Sequence, residues 1–187
     1  YAGNTITLSG TPTAAGTFNY TITPNGCGSA TATGTITVTA DRTVAAASST
    51  ETLCINTALT NITHATTGVS AIASSAGLPA GVTAAYAGNT ITLSGTPTAA
   101  GTFNYTITPN GCGSATATGT ITVTAIPTVA TATGASRCTN GTVNLAATAS
   151  SGTVNWYAAA AGGAAIGAGS PWTTPVLTMT TTYYVEA

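Results

Sequence analysis

Ionisable side chains are almost missing from this sequence, which has 187 residues and contains neither lysine nor glutamine. The charged residues are Asp41, Arg42, Glu51, Arg137 and Glu186. Binding to a nucleic-acid backbone depends on Lys and Arg, so a nucleic-acid partner is not expected. Disordered chains combine low hydrophobicity with high net charge. This chain has a formal net charge of −1 and 43% hydrophobic residues, and we therefore expect it to fold.

The same shortage removes the usual routes to catalysis. General acid–base catalysis needs titratable groups within hydrogen-bond reach. The one triad that the composition permits joins Asp41, the single histidine His64 and a serine, and no G-x-S-x-G sequence surrounds any serine. Calcium sites need several carboxylates and zinc sites need Cys and His at short spacing, whereas the four cysteines lie far apart. We expect a protein that is not an enzyme and that holds no cofactor or metal.

One sequence of forty residues occurs twice, at 1–40 and at 86–125, with identity at every position. Residue 1 corresponds to residue 86, so the period is 85 residues. Residues 41–125 then form one complete repeat, and residues 1–40 are expected to be the C-terminal half of a repeat whose front half is missing. Residues 126–187 are expected to form a different domain that lacks its last strand or strands. Repeats of domain length indicate separate domains in a row.

Large apolar residues alternate with threonine or asparagine along residues 90–93, 102–108 and 120–124. Period two with many β-branched residues predicts strands that have one buried face and one threonine face. Turn signals rich in glycine, proline and asparagine separate them, at residues 77–81, 95–97, 100–101 and 109–111. Short strands at such intervals predict an all-β fold of tandem immunoglobulin-like β-sandwich domains.

Residues 126–187 carry both tryptophans. Strands are predicted at 142–145, 153–157 and 181–185. Trp156 is expected in the core of an immunoglobulin-like sandwich, with a sugar-stacking platform as the alternative. Trp172 lies beside a predicted turn at Pro171, and we name it as a possible surface contact for a ligand, with a core position as the alternative.

The junctions between the predicted domains are short. About two residues separate the last strand of one domain from the first strand of the next, and Pro127 stiffens the second junction. Such links have little freedom compared with a Gly/Ser tether, so the sequence predicts a semi-rigid rod. Because salt screening acts on charges, the stability of a nearly uncharged rod is expected to depend little on salt. Arg42 and Arg137 are the only trypsin sites.

The repeat resembles the putative-Ig, cadherin-like repeats of bacterial surface proteins, and in particular those of giant gliding adhesins of flavobacteria. The motifs that carry this resemblance are residues 77–82, 91–97, 100–103, 105–108, 111–114 and 117–123. The last domain, with motifs at 155–157 and 181–187, is similar to Ig-like modules of Bacteroidota proteins. The resemblance implies a long filament on the outer-membrane surface, exported by the type IX secretion system. Its partners would be neighbouring repeats, the secretion and gliding machinery, and extracellular polysaccharide or another substratum.

Export, as the resemblance implies it, also implies an oxidising compartment. On that basis we expect a disulfide between Cys54 and Cys112 inside the complete repeat. The partners of Cys27 and Cys138 are then expected outside the sequence. The alternative is a bond between Cys27 and Cys54 that joins two repeats.

The sequence leaves other functions open. The same modules serve as spacers in large secreted polysaccharide-degrading enzymes of Bacteroidota. Flat threonine arrays also bind ice, although the period of 85 residues is long for the regular solenoid which that function uses. A role in a surface layer or in a pilus-like structure is a further alternative. The principal prediction is a non-catalytic stalk segment of a secreted adhesin.

Overall fold

The computed structural model describes residues 5–28 and 30–187. The secondary-structure elements in these residues are β-strands, and no helix there is long and apolar enough to cross a membrane. The all-β fold class is therefore confirmed. The chain divides into two compact units, Tyr1–Thr124 and Ala125–Ala187. A further division of the first unit after residue 40 stays a prediction, and the part of it that falls on residues 1–4 and Ser29 lies outside the described residues.

The first copy of the forty-residue sequence forms a two-stranded hairpin. Strands β1 (Gly16–Ile22) and β2 (Ala32–Val38) pair antiparallel, with Gly16 opposite Val38 and Ile22 opposite Ala32. Both strands lie in their own two-stranded sheet.

Residues 43–124 form a sandwich of two four-stranded sheets. The strands are β3 (Thr43–Val44), β4 (Glu51–Cys54), β5 (Ile62–Thr67), β6 (Ile72–Ala76), β7 (Val82–Ala87), β8 (Thr90–Gly95), β9 (Gly101–Pro109) and β10 (Ala117–Thr124). One sheet has the order β3-β5-β8-β7 and the other the order β4-β10-β9-β6. Pairing is antiparallel except between β4 and β10, which are parallel. The strands predicted at 90–93, 102–108 and 120–124 are confirmed as parts of β8, β9 and β10.

The core of this sandwich consists of the alternating apolar residues that the sequence pattern predicted to face inward. Ile91 and Leu93 come from β8, Tyr105 and Ile107 from β9, and Ile121 from β10, and each is at most 2% exposed. The preceding segment contributes Leu59, Ile62 and Val82 to the same cluster. Since apolar burial contributes roughly 25 cal/mol per Å², this two-sided packing is the main source of stability of the repeat.

The two ends of the repeat lie at opposite ends of the sandwich. At one end the backbone N–H of Arg42 donates to the carbonyl of Cys112, which precedes β10. At the other end the N–H of Ile55 donates to the carbonyl of Thr124, the last residue of β10. Seven residue steps of β10 separate these ends, which at about 3.3 Å per residue is about 23 Å.

The second unit is a smaller pair of three-stranded sheets. Its strands are β11 (Val129–Thr133), β12 (Asn144–Ala149), β13 (Asn155–Tyr157), β14 (Gly167–Ala168), β15 (Trp172–Thr173) and β16 (Tyr184–Glu186). The orders are β11-β12-β15 and β14-β13-β16. Ala147, Val154 and Trp156 form the buried core. The predicted strands at 142–145, 153–157 and 181–185 overlap β12, β13 and β16, with boundaries that differ by up to four residues.

Candidate functional site

The solvent faces of the sheets carry threonine and asparagine side chains that bond to one another across neighbouring strands. The bonded pairs, each directly opposite in register, are Thr35 with Asn19, Thr43 with Thr67, Thr120 with Asn104, Thr131 with Thr148 and Thr173 with Asn144. Their oxygen–oxygen distances are 2.6–2.8 Å. Cross-strand pairs of this kind each contribute roughly 0.2–1 kcal/mol. The exposed faces are therefore held together by hydroxyl and amide groups in place of ion pairs.

We expect the stability of the chain to be nearly independent of sodium chloride. Ions screen charges, and the pairs on the sheet faces are neutral. The midpoint of thermal unfolding should move by less than about 3 °C between 0.01 and 0.5 M sodium chloride, which corresponds to less than about 1 kcal/mol. A steep dependence measured by circular dichroism would contradict the importance of these pairs.

His64 is fully buried and forms part of the core of the repeat. Its Nδ1 lies 3.0 Å from the carbonyl oxygen of Ala45 and its Nε2 lies 3.0 Å from the hydroxyl of Tyr105. A carbonyl only accepts hydrogen bonds, so Nδ1 donates to Ala45 and Nε2 accepts from the Tyr105 hydroxyl. Burial raises the pKa of Tyr105 above its usual value of 10.0. Both ring nitrogens are occupied by structural partners, neither of which belongs to Asp41 or a serine.

Replacing Tyr105 with phenylalanine is expected to lower the free energy of unfolding by about 1–2 kcal/mol, because it leaves Nε2 of His64 without its donor. Tyr20 occupies the equivalent position in the hairpin, so Tyr20→Phe is the matched control and should have almost no effect. The effect of Tyr105→Phe should shrink as the pH rises above 10. There the unfolded chain loses the tyrosine proton before the folded chain does, and the parent protein loses stability that the variant cannot lose. Chemical denaturation at pH 7 and pH 11 measures both effects.

Arg42, one of the two trypsin sites in the sequence, is buried at the first end of the repeat. Its Nε donates to the carbonyl of Ala115 over 2.9 Å and its guanidinium donates to the carbonyl of Gly111 over 2.7 Å. Only 8% of the residue is exposed. Arg137, by contrast, is exposed, and its guanidinium bonds Thr142 and Thr139 nearby in sequence. Arg42 therefore fastens the loop between β9 and β10 to the start of the repeat.

The structure does not contain the predicted disulfide between Cys54 and Cys112. Both thiols are free. Cys54 lies opposite Thr124 at the end of β10, and Cys112 lies before the start of that strand. The strand length puts them about 23 Å apart, whereas a disulfide requires Cα atoms within about 7 Å. The sequence separation of the two cysteines could not reveal this, because the parallel pairing of β4 with β10 fixes which end Cys54 occupies.

We expect Cys54 and Cys112 of one chain to stay unbonded to each other under oxidising conditions. The test uses the chain with Cys27→Ser and Cys138→Ser, equilibrated with oxidised glutathione and then alkylated. In the intact mass each of the two thiols should carry an alkyl or a glutathionyl group, and no monomer should lack both groups and have lost two hydrogens. A monomer with an internal bond would contradict the strand register on which the distance rests.

Trp156 and Trp172 belong to one aromatic cluster in the second unit. Trp156 is buried, as predicted, and its Nε1 donates to the carbonyl of Gly169 over 2.9 Å. Trp172 is half-buried, stacks on Trp156 with ring centroids 5.5 Å apart, and contacts Tyr183 edge to face at 5.1 Å. Trp156 and Tyr183 pack against the Trp172 ring and bury part of it. The role of Trp172 as a ligand contact stays a prediction.

The glycines of the motif at residues 77–82 and 91–97 have structural roles. Gly77 and Gly81 have φ of 73° and 87°, a backbone region that residues other than glycine rarely adopt. A Cβ at Gly81 would collide with the carbonyl oxygen of Thr96, and one at Gly95 with the carbonyl oxygen of Gly81. The motif thus marks the close approach of two backbones.

Among the described residues, no group of three or more His, Cys, Asp or Glu could hold a metal ion.

Comparisons with known proteins find a family model that matches part of the chain and solved structures that resemble it. The family model described as "Ig-like domain CHU_C associated" matches residues 125–187. Solved structures similar to the chain include titin domains I67-I69 in a glutamate-to-alanine variant, at 17% identity and a TM-score of 0.45 over 64% of this chain and 47% of that one. The I9-I11 tandem of titin matches at 12% identity and a TM-score of 0.38, over 75% and 54%.

The chain thus spans about half the length of each titin structure. No curated protein matches the chain. The family match covers residues 125–187, which form the second unit, and the first unit contains a sandwich of two four-stranded sheets.

Proposed function

We propose that this chain is a stalk segment of a long, secreted, cell-surface adhesin or filament of Bacteroidota, exported by the type IX system and used in surface attachment or gliding. The observation that carries the proposal is the geometry of the complete repeat. Its first and last strands reach opposite ends of the sandwich, about 23 Å apart. Modules with this geometry extend a chain with every copy that is added, which is what a stalk requires.

The surface of the modules supports the same proposal. Cross-strand threonine and asparagine pairs replace charge on the exposed faces, so such a stalk tolerates changes in salt outside a cell. Hydroxyls in these pairs already have a partner, so binding of polysaccharide or another substratum by the faces would be weak and would depend on many repeats. Under this proposal the modules hold a binding region away from the cell surface, and any tight binding resides elsewhere in the filament.

An antibody against residues 41–125 tests the proposal on the cells that make the protein. We expect it to label filaments on the outside of intact cells, and we expect the label to stay inside cells that lack type IX secretion. The alternative, a spacer in a secreted polysaccharide-degrading enzyme, predicts that the antibody depletes a hydrolase activity from the culture medium. Labelling confined to the cytoplasm of normal cells would contradict both.

A further inference from the structure

The hairpin β1–β2 exposes an apolar face that is buried in the second copy of the same sequence. Ile36 is 42% exposed whereas its equivalent Ile121 is fully buried. Leu8 is 47% exposed whereas its equivalent Leu93 is fully buried. The face borders an open groove of about 720 Å³, which is lined by residues 7–14 together with Phe18, Ile36 and Val38. The two copies have the same sequence, so the difference in exposure comes from the segments that pack against them.

The complete repeat shows what covers this face. Strand β4 pairs with β10 along one edge of the hairpin β9–β10, and strand β6 pairs with β9 along the other. Ile62 on β5 pairs with Leu93 and joins the core cluster with Ile121. His64 on the same strand accepts the hydrogen bond of Tyr105. All the covering groups come from residues 41–85.

Residues 41–85 of the same chain cannot cover the hairpin in this way. They already cover residues 86–125. In addition, an equivalent docking would place Thr39 where Thr124 lies, at one end of the sandwich, and Arg42 at the other end. Those positions are about 23 Å apart, whereas the three residue steps from Thr39 to Arg42 reach at most about 11 Å. The covering segment must therefore come from another copy of the repeat.

We propose that the apolar face of residues 5–40 is a docking surface for a segment with the sequence of residues 41–85 from another copy of the repeat. The segment adds its strands to both edges of the hairpin and completes a sandwich like that of residues 43–124. Recognition combines strand pairing with burial of Ile36 and Leu8 and with a histidine for the Tyr20 hydroxyl. This inference does not depend on the proposed function.

The first test adds a separate polypeptide of residues 41–85 to the full chain and measures binding by calorimetry and sedimentation. We expect a 1:1 complex. Ile36→Asp should weaken binding at least about 100-fold, because the carboxylate would be buried without a partner. The matched control Thr37→Asp lies on the opposite face of β2 and should change binding less than about threefold. The polypeptide with Ile62→Asp should fail to bind.

Three results would overturn the proposal. One is the lack of a complex with the parent chain at millimolar polypeptide. A second is undiminished binding to the Ile36→Asp chain, which would show exchange into the existing sandwich. The third is self-association of the parent chain that is lost in the Ile36→Asp chain. That result would show that the apolar face is covered by the hairpin of a second chain and not by residues 41–85.

A second test does not need a separate polypeptide that stays in solution. Residues 41–85 are joined directly before residue 1, so that they precede residues 1–40 in the same way as they precede residues 86–125. In that extended chain the amide of Ile36 should gain protection from hydrogen exchange comparable to that of Ile121. Protection that stays at the level of the parent chain would overturn the proposal.

Discussion

Replacing Ile121 with alanine is expected to lower the free energy of unfolding of the complete repeat by about 2–5 kcal/mol. Ile121 is fully buried between the two sheets and packs in the same cluster as Ile62 and Leu93. The substitution removes buried methyl and methylene groups and leaves a cavity that the sandwich cannot fully close. For a domain of this size the melting temperature should fall by about 4–8 °C for each kcal/mol lost.

The chain contains its own control for this prediction. Ile36 has the same neighbours in sequence, but it is 42% exposed, so Ile36→Ala should change stability by less than about 0.5 kcal/mol. Hydrogen exchange measured on peptides from residues 55–70, which occur once in the sequence, reports the complete repeat. Fluorescence of Trp156 and Trp172 reports the second unit, which should be unaffected. Equal effects of the two substitutions would contradict the difference in burial.

Replacing Gly111 with alanine is expected to lower the free energy of unfolding by about 2–4 kcal/mol, from backbone strain and displacement of neighbours together. Gly111 has φ of 132°, where an L-residue with a side chain is strained. An added Cβ would also collide with the carbonyl oxygen of Gly68, next to the side chain of Arg42. The loop that Arg42 fastens would have to move.

Gly26 is the matched control, because it stands at the equivalent position of the first copy. A Cβ there meets nothing within 4 Å, so Gly26→Ala should be neutral within about 0.5 kcal/mol. The same exchange experiment on residues 55–70 measures both variants. A neutral Gly111→Ala would show that the contact between Arg42, Gly68 and Gly111 does not hold this end of the repeat.

The two copies of the forty-residue sequence show what sequence alone determines in this protein. The hairpin forms in both, as β1–β2 and as β9–β10, because its strands are neighbours along the chain and alternate strictly. Residues 91–95 belong to a strand in the second copy, whereas residues 6–10, with the same letters, form none. The ladder partners of that strand are β5 and β7, and residues 41–85 contain all of β5 and the larger part of β7. Local pairing was predictable, and pairing that needs distant residues was not.

The front half of the repeat was harder to predict for a related reason. Strands β3, β4 and β6 are short or lack a run of large apolar residues, so period two gives little signal there. The positions of the candidate site residues were therefore hard to predict as well. Parallel pairing of β4 with β10 separates Cys54 from Cys112, and partners distant in sequence bury His64 and Arg42. The core position of Trp156, by contrast, was predicted from the strand tryptophan that an immunoglobulin-like sandwich buries.

The distance between Cys54 and Cys112 tests most directly the claim that the repeat extends from end to end. With Cys27 and Cys138 replaced by serine, spin labels on the two native thiols permit a measurement by double electron–electron resonance. The account predicts a single distance distribution centred at about 20–35 Å, from about 23 Å of strand plus the length of the labels. A main population below about 15 Å would place both cysteines at one end of the sandwich and would contradict the account.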